Sequence, residues 1–154
     1  MAHNRAEIMV DKKILIIGDD LETQYLLTDA LSQGEFQISA TPTRISSILQ
    51  FGLIQPSLLI FDMPQADTRS WEILERIRES SPVPVIALLA DNDYEARIAS
   101  LDRGADYCLV KPVNVQELQA RVRALLRRAQ KSQHFSPQNQ AAPYIQKSGL
   151  VQAS

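Results

Sequence analysis

Three short runs of almost uninterrupted apolar residues, Lys13–Ile17, Ser57–Phe61 and Val83–Leu89, constrain this chain more than anything else in it. A strand solvated on one face alternates apolar and polar side chains. A strand covered on both faces does not, and such strands belong to parallel sheets with helices on either side. Between the runs, apolar residues recur three or four positions apart: Leu27, Ala30 and Leu31, then Ile45, Ile48 and Leu49, then Ile73, Leu74 and Ile77, a weaker Ile98 with Leu101, and last Val115, Leu118, Val122, Leu125 and Ala129. That spacing marks one face of a helix. Phe36–Ala40 alternates, as a strand with a more exposed face does, and Tyr107–Val110 supplies a short fifth strand signal. Together these predict an α/β fold, a doubly wound five-stranded parallel sheet with right-handed crossovers and helices on both faces. Pro84 stands near the start of its run, where a missing N–H is tolerated.

With 154 residues, 45% hydrophobic and 22% charged, the chain has the composition of one domain with a short appendage, and no stretch approaches the roughly 18 apolar residues that a membrane span requires. Cys108 is the single cysteine, so no internal disulfide is available, and Met1–Glu7 lacks the apolar centre of a secretion signal. The expectation is a cytoplasmic protein with no membrane partner. Every acidic residue lies at or before Glu117, so residues 1–130 carry 14 basic and 18 acidic groups, and no nucleic-acid surface is expected there. From Ser132 to Ser154 the only fixed charge is Lys147, among Gln, Ser, Ala and Pro, which reads as a linker or tail. The expected division is an N-terminal extension over 1–10, a folded domain over 11–131 and a linker or tail over 132–154.

In an open α/β sheet, ligands bind beyond the carboxyl ends of the strands, at the point where strand order reverses. Gly18-Asp19-Asp20 follows the first strand signal, Asp62-Met63-Pro64 closes the third, Ala90-Asp91-Asn92 follows the fourth and Lys111-Pro112 the fifth. Carboxylates and one ammonium therefore converge on one edge. Neighbouring carboxylates repel unless a hard cation sits between them, and an oxygen-rich site with few protein ligands suits Mg²⁺. Lys111 adds a movable point charge suited to a phosphate oxygen. Taken singly, each residue has an ordinary use: Asp19 with Glu22 as a helix cap, Asp62 as a turn residue, Lys111-Pro112 as a plain loop. Taken together they are more specific, because accidental caps do not predict a lysine-proline after the fifth strand.

These residues resemble the receiver domain of two-component response regulators over about residues 11–130. The likeness is carried by the acidic pair closing strand one, by Asp62 closing strand three, and by Gly104-Ala105-Asp106 through Leu109-Val110-Lys111-Pro112. The stretch Glu117–Arg128 is similar to the last receiver helix of the winged-helix class. The resemblance implies a flavodoxin-like receiver fold with strand order 2-1-3-4-5 and a conformational, non-enzymatic role in phosphorelay signalling that regulates transcription through an attached DNA-binding domain. It implies Asp62 as phosphoryl acceptor, loaded by a sensor histidine kinase or a small donor. Mg²⁺ would be held by Asp19, Asp62 and the backbone carbonyl of Pro64, with Asp20 as a further candidate ligand. Lys111 would pair with the phosphoryl group, and the Lys111-Pro112 bond is often cis in this family.

The departures from that family are as informative. Gly18 stands where a second acid is usual, which implies a weaker Mg²⁺ site. Leu89 stands where strand four normally ends in Ser or Thr, and it has no donor. Cys108 takes the place of the family's switch aromatic, and Tyr107, one position off, is expected on the opposite face. Ser70 replaces a usual glycine. The relay from phosphoryl group to hydroxyl to ring thus lacks two parts.

By the same resemblance the chain would pair with a second copy through helix four, strand five and helix five. Ile98, Leu101 and Ala120 would form an apolar patch, with Arg97–Glu117 and Asp106–Arg123 as candidate ion pairs. Tyr107 replaces one usual acid there, which leaves Arg121 without its mate. Arg127, Arg128 and Lys131 suit a helix C-terminus. Tyr144–Val151 is similar to the first strand after the linker in winged-helix regulators, so DNA contact is expected only through a domain outside this chain. The alternative is a phosphorylation-independent pseudo-receiver acting as an interaction or dimerisation module. A flavin-binding enzyme of the same fold would need Ser, Thr or Gly donors after strand one, and the carboxylates there repel a phosphate.

Overall fold

A computed structural model describes residues 12–34 and 36–134, with side chains up to Gln130. The apolar runs form β1 (Lys13–Ile17), β3 (Leu58–Asp62) and β4 (Val85–Leu89), joined by β2 (Gln37–Thr41) and β5 (Tyr107–Val110). Every neighbouring pair is parallel, in the order β2-β1-β3-β4-β5. The connecting helices are α1 (Leu21–Ser32), α2 (Ser47–Ile54), α3 (Thr68–Ser80), α4 (Tyr94–Arg103) and α5 (Val115–His134). The expected architecture is present, and α5 continues past residue 131. The extension over 1–10 and the segment Tyr144–Val151 lie outside the described residues.

Strand composition explains the layering. Alternate residues of the central strands feed two cores. Leu15, Ile17, Leu59, Phe61, Ala87 and Leu89 pack toward α2, α3 and α4, while Ile14, Ile16, Leu58, Ile60, Ile86 and Leu88 pack toward α1 and α5. Burying each such side chain contributes about 1.5–3 kcal/mol. All five positions of β3 and of β4 are buried, whereas edge strand β2 has none fully buried.

Two helical stripes differ from the expectation. In α2 the inward residues are Phe51, Ile48 and Ile54, while Ile45 and Leu49 are exposed. The helix is apolar on nearly every side, so spacing alone does not choose its rotation. Its entry chooses it, because the buried Ser47 hydroxyl donates to the Pro42 carbonyl and accepts from the Arg44 N–H. In α4, Ser100 and Ala96 face the core and Ile98 and Leu101 face out, at 42% and 46% exposure. Leu89 and Cys108 already fill that part of the core and leave room for small residues only.

At the end of the sheet opposite the strand termini that carry the acids, Arg78 of α3 gathers the chain. Its guanidinium donates to the carbonyls of Ser81, Val83 and Gly104 and pairs with Asp106 at 3.0 Å. Asp106 in turn accepts from Val85 N–H at 2.7 Å, where β4 begins. Gly104 has φ +131°, and a Cβ there would lie 3.1 Å from the Arg78 side chain. On the outer surface, the Arg103 guanidinium sits 4.8 Å from the ring centroid of half-buried Trp71 and pairs with Glu75 at 3.1 Å.

Candidate functional site

Asp62 is the last residue of β3 and only 3% exposed, so it is a strand residue and not a turn residue. Lys111 directly follows β5 at the cis Lys111–Pro112 bond. Its Nζ lies 2.9 Å from both Asp62 oxygens, but only Oδ2 receives a well-directed hydrogen bond, and Oδ1 is buried without a hydrogen-bond partner. Burial pushes the Asp62 carboxyl above its ordinary value, against the pull of Lys111, and Asp20 and Asp19 push it further up.

The residues after β1 divide the work. Gly18 is buried, and its carbonyl accepts from the Gln24 side chain at 2.9 Å. Asp19 is exposed and its Oδ1 accepts from the Thr43 N–H at 3.0 Å, which ties the loop after β2 to the site. The cap of α1 is Asp20, so the ordinary alternative of Asp19 as the cap does not hold: Asp20 Oδ1 accepts from Glu22 N–H at 3.1 Å and Oδ2 from the Thr23 hydroxyl at 2.7 Å. Oδ2 of Asp20 also lies 3.3 Å from Lys111 Nζ. The Thr23 hydrogen bond foremost, with help from Lys111, holds the Asp20 carboxyl below its usual range.

Asp19, Asp20, Thr43, Asp62, Pro64 and Ser70 line one pocket of about 350 Å³. Among the described residues no three acids, histidines or cysteines cluster closely enough to form a metal cage. Two carboxylates with water nonetheless suit a hard divalent cation, because Mg²⁺ keeps several waters. Oδ1 of Asp62, which has the ion contact with Lys111 but no hydrogen bond, is the atom such an ion would satisfy, and Asp19 lines the same pocket. Asp20 is already engaged by its cap and by Lys111.

The replaced positions are apolar in fact as well as in type. Leu89 ends β4 at 2% exposure and shares a core with Phe61, Met63 and Cys108. Burial raises the pKa of the Cys108 thiol, which points at the Arg97 carbonyl at 3.8 Å and is poorly placed for thiolate chemistry. Tyr107 lies on the other face, as alternation requires. Within the chain the Arg121 guanidinium stacks 3.8 Å from the Tyr107 ring centroid, and the Tyr107 hydroxyl donates to Glu117 at 3.0 Å. Within one chain Arg97 bonds Asn92 and Asp106 bonds Arg78, so neither Arg97–Glu117 nor Asp106–Arg123 forms internally. Ala120 and Arg123 are exposed on α5. The Asp20–Lys111 contact and the Asp19–Thr43 tie are absent from the sequence reading; the Asp-x-x-Thr spacing of Asp20 and Thr23 is the signal that locates the first.

A five-stranded parallel sheet in this order, with acids and a lysine meeting beyond β1, β3 and β5, is the receiver arrangement. The model of the response regulator receiver domain matches residues 14–123, and the chain belongs to that family. It is 32% identical over 119 residues to a probable transcriptional regulator, ycf27, of Cyanophora paradoxa, covering 77% of this chain and 50% of that protein. It is 36% identical over 115 residues to the KDP operon transcriptional regulatory protein KdpE of Escherichia coli, covering 75% and 51%. The chain thus spans about half the length of the curated relatives it matches. A crystal structure of a two-component response regulator from Clostridium difficile superposes with a TM-score of 0.71 at 26% identity, over 77% of this chain and 98% of that one.

Proposed function

We propose that this receiver accepts a phosphoryl group on Asp62, from a sensor histidine kinase or a small acyl phosphate, and passes the change to a winged-helix DNA-binding domain outside residues 11–131. The observation that carries this is the buried Asp62 carboxylate, which lines a pocket with Lys111 Nζ 2.9 Å from both of its oxygens and only one of them in a directed hydrogen bond. A carboxylate oxygen of Asp62 attacks phosphorus. With an acyl phosphate the P–O bond breaks and its electron pair leaves on the carboxylate product; with a kinase phosphohistidine the P–N bond breaks and its pair leaves on the imidazole nitrogen, which takes up a proton. From acetyl phosphate no proton need move. Such transfer depends on placement and charge neutralisation more than on covalent help. Lys111 supplies one positive charge to the phosphoryl oxygens. Mg²⁺ would supply the rest, held by Asp19, Asp62 and the Pro64 carbonyl, and the missing acid at Gly18 makes it a weak ligand site.

The same proposal includes pairing with a second copy through α4, β5 and α5, where Ile98 and Leu101 of α4 and Ala120 of α5 are exposed. Exposed ion pairs add specificity more than affinity, so the apolar residues carry the binding. Leu89 and Cys108 favour a second reading, in which the chain is a pseudo-receiver whose inputs are protein partners.

Intact mass after incubation with acetyl phosphate and Mg²⁺ decides between them, with Asp62→Ala as control and sedimentation as a parallel readout. The expected result is a single phosphoryl adduct, absent in Asp62→Ala, with a dimer affinity that changes less on phosphorylation than in a Leu89→Thr, Cys108→Tyr variant. No adduct, with a dimer already formed, overturns the acceptor role in favour of the pseudo-receiver.

A further inference from the structure

Lys111 is held from two sides. Its Nζ donates to Asp62 at 2.9 Å and to Asp20 Oδ2 at 3.3 Å. Asp20 is itself fixed, because the same Oδ2 accepts from the Thr23 hydroxyl at 2.7 Å and Oδ1 accepts from Glu22 N–H at 3.1 Å. Its carboxylate cannot turn to a cation on Asp62 without uncapping α1. Among the described residues, Asp20 and Asp62 are the carboxylates that pair with Lys111.

We propose that Asp20 is a positioning residue that clamps the Lys111 ammonium between itself and Asp62 and thereby slows the loading of Asp62. The slowing rests on the reading of Asp62 as acceptor; the clamp does not. An incoming phosphoryl group is an anion that must recruit Lys111 as its ion partner. An ammonium already shared between two carboxylates offers less of its charge, and Asp20 adds a negative charge beside the route of entry. Two carboxylates, Asp20 and Asp62, here share one ammonium. The charge of Asp20 is separable from its cap, because Asn caps a helix about as well as Asp and keeps an acceptor oxygen for the Glu22 N–H.

The test compares wild type with Asp20→Asn and Asp20→Ala. The first readout is the rate at which an amine-acylating ester labels Lys111, by peptide mass spectrometry, with Lys12 and Lys13 as internal controls. The second is the rate of adduct formation from acetyl phosphate at saturating Mg²⁺. In Asp20→Asn both rates should rise about two- to fivefold, the range a half-exposed ion pair carries, with the unfolding midpoint unchanged. Asp20→Ala should show the same rise with a lowered midpoint, since it also removes the cap. Lys111 labelled at the wild-type rate in Asp20→Asn overturns the clamp. Faster labelling without faster loading overturns the slowing. Faster labelling with no adduct in any of the proteins removes the acceptor reading of Asp62 and leaves the clamp standing.

Discussion

At Gly18 the missing side chain is a packing requirement before it is a lost charge. A Cβ there would stand 2.7 Å from the Cβ of Asp62, closer than such atoms approach, so β1 and β3 would have to part at the site. Gly18→Ala should therefore cost about 1–3 kcal/mol, seen as a lower midpoint in urea, and an unchanged midpoint would show that the strand ends yield freely. Single residues were unequally legible in the sequence. Asp62 and Lys111 could be picked out because each closes a strand signal, and strand ends of a doubly wound sheet share one edge. Which of two adjacent aspartates caps α1 could not be, since Asp19 and Asp20 are chemically identical and the choice is made by backbone direction at Asp20, φ -87° and ψ 110°. That one-residue difference decides which carboxylate meets Lys111 and which meets Thr43.

Among the elements, strands were more legible than helix faces. A run such as Leu58–Phe61 has no polar residue to misplace, whereas α2, with sequence SILQFGLI, offers apolar groups in several directions and takes its rotation from Ser47. The start of α3 is fixed more simply. Asp67 caps it, and its Oδ1 accepts from Ser70 N–H at 3.0 Å, which lowers the Asp67 pKa. A lowered carboxyl pKa stabilises the fold above the ordinary aspartate range, and that stability disappears as the pH falls through the lower, folded-state value. Asp67→Ala should cost about 0.5–2 kcal/mol at neutral pH. The gap between variant and wild type should close as the pH drops below about 3.9. Urea unfolding at neutral and acid pH measures both, and a gap of constant size would mean that the Asp67 charge plays no part.

Across the whole molecule, Arg78 joins what the chain order separates: the end of α3, the entry to β4 and the loop before β5. Nothing in the spacing of the sequence points to it, because an arginine in the last turn of a helix is ordinarily placed there by the helix dipole. Arg78→Met keeps much of the apolar stem but leaves the Ser81, Val83 and Gly104 carbonyls without this donor. It should destabilise by roughly 2–4 kcal/mol in a single cooperative transition, and a loss under about 0.5 kcal/mol would indicate that water replaces the guanidinium. The stacked Arg103 has a different consequence. Trp71 is the only tryptophan in the chain, and it sits in α3 beneath a cation carried by α4. Tryptophan emission, excited at wavelengths that the four tyrosines do not absorb, therefore comes from the seam between those two helices, so the molecule carries its own optical gauge of whether events at Asp62 travel as far as α4.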